Sequence, residues 1–248
     1  YKETGDTFQL LSEDEKGRYD SRALLMYGEF GLLPKLTVTM SSSLMWGTIE
    51  SDLIRIDTQG MTDFRAGLKY QFLDNPLVLS VGSEVTAPTG YTPDPPAVKT
   101  PTLGLGVFAW EGRLLVGKSF YPAPLYASGQ FGFRYRGSRV ARNGDTVDYP
   151  PELPYGLEVG VSATDWLLAR GVLNGVVGLG DPQEITAFSL SPTTQSYTKI
   201  GPSLIFKLGD TFQISADYLY TLSGVNAVKS HDFMLGFAVD TAFQSDAD

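Results

Sequence analysis

The stretch from Ser230 to Phe243 constrains the fold more than any other. Phe233, Leu235, Phe237, Val239 and Phe243 share one parity; Asp232, Met234, Gly236, Ala238, Asp240 and Ala242 share the other. A period of two means a strand with two unlike faces, here one large and apolar and one small or acidic. A soluble sandwich would pack the apolar face on a core. A membrane barrel would turn it to lipid and line a lumen with the small polar face. Phe243, an aromatic almost at the end of the chain, favours the barrel.

The pattern recurs. Strands are expected over 22–32, 35–47, 62–73, 77–87, 105–120, 125–137, 154–163, 166–179, 194–208, 211–222 and 230–243. In one of the cleanest, Leu36, Val38, Met40, Leu44 and Trp46 oppose Thr37, Thr39, Ser41 and Ser43. Short turns near Pro34, Asn75, Pro122, Asp165 and Asp210 alternate with longer loops at 49–60, 88–103, 138–153, 180–193 and 223–229. That rhythm belongs to an up-and-down outer-membrane barrel, with short periplasmic turns and long outer loops. Aromatics near strand ends, such as Trp46, Tyr70, Phe120, Tyr135, Trp166 and Tyr220, would form its interfacial girdles. Lys118 falls on the apolar parity of its strand, which a bulge or a rim position would reconcile. Pro202 lacks a ladder donor and marks a kink or a tolerated bulge.

The expected fold is all-β: an antiparallel transmembrane β-barrel over 22–243, after an N-terminal polar segment or partial first strand at 1–21, with a periplasmic tail at 244–248. Eleven strands are clear, but barrels of this kind close on an even number, and an open edge would leave backbone groups unpaired in hydrocarbon. A twelfth strand is therefore expected, from residues 1–11 or from upstream of Tyr1.

Composition removes other classes. The chain has no Cys, so there is no disulfide framework or thiolate metal site. Its net charge of -9 argues against a nucleic-acid partner, whose affinity needs a basic patch. No run reaches the roughly 20 apolar residues of a spanning helix. No phosphate loop, metal-spaced His set or GxSxG is present, so no cofactor or metal is expected.

The inner-face candidates are the charged residues of the polar parity: Glu29, Asp63, Arg65, Lys69, Glu84, Glu111, Arg113, Arg134, Arg136, Glu158, Arg170, Lys199, Lys207, Asp217 and Asp240. Two readings stand. The charges line a pathway and sort solutes, or they pair into a plug that rigidifies a narrow barrel. Arg134 and Arg136, two apart on one face, would hold an anion bidentately or meet Glu158 or Glu84. Catalysis has one imidazole to use, His231, beside Ser230 and Asp232; neighbours in a strand point to opposite faces, which denies a Ser–His pair. Asp145, Asp148 and Glu152 read as solvated loop acids.

Several phrases carry a resemblance: Tyr27-Gly28-Glu29-Phe30-Gly31-Leu32, the run from Gly60 to Phe72, Ala87-Pro88-Thr89-Gly90, the run from Arg113 to Phe120, and Leu222-Ser223-Gly224-Val225-Asn226. They resemble the outer-membrane barrels of the phenol-degradation meta-pathway type. These are strand-and-turn phrases rather than catalytic motifs. The resemblance implies an outer-membrane channel, in some members linked to uptake of hydrophobic or aromatic compounds, with an extra strand before the region of Tyr1. The tail from Gln244 to Asp248 departs from the usual ending. The expected function is passive passage of small solutes, small organic molecules among them; the alternative is a closed barrel that serves as scaffold or partner-binding subunit. Expected partners are outer-membrane lipid, a small organic solute, and a protein partner or further copies of the chain.

Overall fold

The computed structural model describes residues 2–4, 7–9, 17–51, 55–89, 91, 103–140, 144–181 and 193–241. The described residues form strands and turns without helix. One antiparallel sheet takes β3 (Gly17–Leu33), β4 (Leu36–Ser51), β6 (Phe64–Leu73), β7 (Val78–Ala87), β8 (Ala109–Ser119), β9 (Leu125–Arg136), β12 (Glu152–Ser162), β13 (Leu167–Gly178), β14 (Ser196–Leu208), β15 (Phe212–Val225) and β16 (His231–Val239), each beside the next. These are the eleven strands of the period-two pattern. Five tight turns join them at one end, and longer connections join them at the other.

The sheet is curled. The edge strands β3 and β16 both run from the long-connection end toward the tight-turn end. Among the described residues no pairing joins them.

The apolar side chains lie on the outside. Only Val107, Tyr149, Val176 and Leu219 are buried hydrophobics among the described residues, whereas Leu235 is 88% exposed and Phe233 79%. A soluble sandwich would need a core drawn from these strands, and none exists. Every strand contributes to an exposed apolar wall far larger than a soluble monomer's patches, the arrangement of strands that span a membrane. Lys118 fits this wall as a rim residue: β8 pairs in unbroken register on both sides, and Nζ lies 5.8 Å from the Phe120 ring centre.

Several expectations are corrected. The segment 49–60 is not all loop: β4 runs on to Ser51, and β5 (Arg55–Met61) pairs along its end. A break at Thr62 and Asp63 separates β5 from β6, so the two follow one neighbour like a single interrupted strand. The loop 138–153 carries a small hairpin, β10 (Ser138–Val140) with β11 (Thr146–Asp148), and then the start of β12. Near the N-terminus β1 (Lys2–Thr4) pairs with β2 (Thr7–Gln9) rather than with either edge of the large sheet. Pro202 stays in register with Gly171 on β13; only the ladder to β15 lapses, at Gly201 and Pro202. Most of the loops 88–103 and 180–193, and the tail 244–248, lie outside the described residues.

Candidate functional site: charged belts on the inner face

Backbone register sets out the charges. Glu29, Thr39, Gly67, Glu84, Glu111, Arg134, Glu152 and Gly178 are successive partners across eight strands, one continuous row. The row two residues away on one side holds Arg65 and Arg136, and that on the other holds Lys69 and Arg113. A mostly acidic row is thus flanked by two basic ones. Glu84 and Glu111 stand directly opposite each other, a destabilising pairing of like charges. The basic rows offset it: Arg65 Nη1 lies 4.0 Å from Glu84, and Arg113 contacts Glu111.

The middle of this row forms a closed network. Arg134 reaches Glu111 Oε2 from Nε at 2.6 Å and Glu152 Oε2 from Nη1 at 2.9 Å. Arg136 Nη1 lies 2.8 Å from Glu152 Oε1, as an ion pair without aligned hydrogen-bond geometry. Glu152 is 1% exposed, Glu111 3% and Arg136 4%. Such charges are tolerable away from water only when each is paired and its donors are used. Arg136 spends its remaining donors on the long connections. Its Nε and Nη2 donate to Pro150 O at 2.9 and 2.6 Å, and Nη2 also to Thr193 O at 2.8 Å. The Tyr149 ring lies 5.6 Å from its guanidinium carbon, and Asn226 Nδ2 donates to Thr194 O at 3.1 Å. One guanidinium therefore ties two connections to the wall. The buried Tyr149, Thr193 and Thr194 belong to these connections, and the buried Val107 to the one that precedes β8.

A second belt lies toward the tight turns. Arg170 reaches Glu158 Oε2 at 3.1 Å and Asp217 Oδ1 at 3.3 Å, and donates to Ser203 Oγ from Nε and Nη2 at 3.0 and 2.7 Å. The Tyr126 hydroxyl donates to Glu158 Oε1. It gets there because its ring lies across Gly160, where a Cβ would strike it. Elsewhere Lys69 Nζ meets both oxygens of Glu29 at 2.9 Å, and Lys199 Nζ meets Asp232 Oδ2 at 2.5 Å. Just before β6, Asp63 accepts from the Tyr91 hydroxyl, which itself accepts from Gly106 N at 2.9 Å. Burial pushes the Asp63 carboxyl up, against the opposing pull of Tyr91 and Arg65.

The sequence-predicted residues are thus largely gathered into paired clusters, Asp63 with Tyr91 apart from both belts, and two residues stand outside them. Lys207 and Asp240 stand exposed near the tight turns, and no ion pair joins either among the described residues. Arg134 and Arg136 pair with Glu111 and Glu152, not with the expected Glu158 or Glu84. Glu152 is the main residue that sequence reading missed. It is no solvated loop acid but the first residue of β12, on the parity of Glu158. Tyr126 and Asp232 were missed as well, although both lie on the polar parity of their strands.

Ser230, His231 and Asp232 each have a partner elsewhere. Ser230 Oγ lies 3.1 Å from Thr221 Oγ1, His231 Nδ1 lies 2.8 Å from the Tyr218 hydroxyl, and Asp232 holds Lys199. No Ser–His pair is assembled there.

Comparison with known proteins places the fold. No family model matches the chain, and no curated protein matches its sequence. Solved structures do match. An outer-membrane channel from Pseudomonas putida F1 superposes with a TM-score of 0.66 at 15% identity, over 90% of this chain and 83% of that one. The NanC porin gives 0.57 at 9%, over 91% and 97%. The translocator domain of the autotransporter NalP from Neisseria meningitidis gives 0.51 at 11%, over 91% and 81%. At such identities the likeness establishes fold, and the fold is that of outer-membrane β-barrels.

Proposed function

We propose that this chain is a bacterial outer-membrane channel for passive diffusion of small solutes, and that it has no catalytic role. The observation that carries the reading is the inversion of the molecule: apolar side chains outside, neutralised charges inside. Lipid serves as the outer solvent, and the inner face offers water and solutes a polar path. Because most inner charges are paired, the path discriminates weakly by net charge. Small uncharged organic molecules fit it better than ions. The connections tied by Arg136 narrow the mouth on the long-connection side, which on this reading faces outward.

That tied mouth also favours a second reading, a barrel closed by its own connections and used as a scaffold. Planar bilayers separate the two. Reproducible unit steps in folded, inserted protein support a channel, and Arg136→Ala should raise their size by freeing the 150 and 193 connections. A silent bilayer that stays silent in Arg136→Ala would favour the closed scaffold. Charge reversal of Arg134 and Arg136 should shift ion preference toward cations; unchanged reversal potentials would remove both from the path.

A further inference from the structure

Between the two belts the inner wall holds a recess of about 260 Å³. It follows another hydrogen-bonded row: Leu115, Gln130, Gly156, Asn174 and Lys199 are successive partners on β8, β9, β12, β13 and β14. Gly156 makes it. The Gln130 side chain lies flat across that glycine, where a Cβ would stand 2.9 Å from Nε2 and 3.1 Å from Cγ. Leu115 flanks the amide on one side. Asn174 and Val172 flank it on the other, and Glu158 closes the side toward the second belt.

The chemistry of this lining is specific. Gln130 Oε1 has one long contact, from Arg113 Nη1 at 3.4 Å, and no side-chain partner holds the Asn174 amide among the described residues. The Gln130 carboxamide, lying over Gly156 on β12, thus stands about one strand spacing, roughly 5 Å, from the strand that carries Asn174. Leu115 and Val172 supply apolar contact beside them. The nearest charge, Glu158, is already matched by Arg170 and Tyr126, so the recess presents no free charge to a ligand. Pockets for drug-sized molecules run to roughly 300–1,000 Å³, so its occupant is smaller.

We infer that this recess is a solute-binding station on the inner wall for a small, flat, uncharged molecule bearing a carboxamide or similar donor–acceptor group. Its apolar body lies against Leu115 and Val172, and its polar end exchanges hydrogen bonds with Gln130 and Asn174. The inference deepens the passage reading and rests on it for the station's role in transport. The binding site itself stands on the lining alone.

The test uses benzamide, with benzoate and benzylammonium as charged counterparts of similar shape. Bilayer recordings on the full chain should show benzamide interrupting the current, with the two ions at least about tenfold weaker. Gln130→Leu with Asn174→Leu removes both amides at similar volume and should shorten benzamide dwell times about tenfold. Gly156→Ala, which asks the Gln130 side chain alone to move, should weaken benzamide too and serves if the double variant does not fold. Saturation-transfer NMR on the folded protein in micelles reads binding without conductance. Unit steps with benzamide signals equal in wild type and variants would overturn the station and leave the channel standing. A silent bilayer, with an NMR signal that the variants lose, would uphold the binding site and overturn the channel. Equal or stronger binding of either ion would also overturn the proposal.

Discussion

On β8, β9 and β12 the inner carboxylates and guanidiniums around Glu152 lie beneath the long connections; on β3 and β6 the charges of Glu29, Arg65 and Lys69 stay partly exposed. Both regions draw on the same backbone row, which runs from Glu29 to Glu152. Glu152 and Arg136 are nearly inaccessible, while the side chains of Glu29 and Lys69 keep 41% and 31% of their surface. The ion-pair distances are alike, 2.8 Å in one region and 2.9 Å in the other. Distance therefore does not distinguish them; burial does. A covered pair is costly to break because the survivor is left without water, whereas an open pair is exchanged for solvent at little cost.

The comparison breaks first at Glu152. Glu152→Ala strands Arg136 and part of Arg134, and should destabilise the fold by about 3–5 kcal/mol, read as a lower unfolding midpoint in micelles. A loss below about 1 kcal/mol would mean that the two regions do not differ. Gly160→Ala comes next. A Cβ there must displace the Tyr126 ring and its bond to Glu158, at a cost of about 1–3 kcal/mol in the same assay. Lys69→Met with Glu29→Gln should cost less than about 1 kcal/mol; a loss as large as that of Glu152→Ala would erase the contrast from the other side.

The smallest effect concerns pH. The Asp63 carboxyl is held above its ordinary range, chiefly by burial. By linkage, the closed arrangement around Asp63 is favoured while the acid is protonated and loses that advantage as pH rises from the ordinary value through the raised one, with the Tyr91 bond to the carboxylate opposing the loss. Protection of the Gly106 amide from hydrogen exchange, corrected for intrinsic rates, should fall over that interval in the wild type. In Asp63→Asn it should stay level. A pH response that survives in Asp63→Asn would place its origin elsewhere.

Much of this was legible in the sequence, for a physical reason. Where one face meets an apolar surrounding and the other a polar one, period-two alternation follows, and the eleven strands announced themselves. β5 did not, because Arg55, Asp57 and Gln59 lie beyond the apolar wall, where neither face selects hydrophobic residues. Glu152 was hidden by Pro154. A proline reads as a strand boundary, yet β12 passes through it by giving up its bridges to β9 at Leu153 and Pro154 while keeping those to β13. Parity shows which face a charge occupies, but its partner depends on register between strands distant in sequence. Arg134 was therefore placed on the correct face and matched with the wrong acids. The cover over Arg136 comes from Pro150 and Thr193 carbonyls, which leave no trace in side-chain pattern.

The shared direction of β3 and β16 has a consequence for assembly. Among the described strands, two copies inserted the same way in one membrane present descending edges, so a ladder between those edges would be parallel. An antiparallel neighbour must ascend, and neither of those edges does. The polarity of the seam thus acts as a filter. It admits an ascending strand to an antiparallel ladder at either margin, and the descending β3 or β16 edge of a like-oriented sister molecule does not supply one.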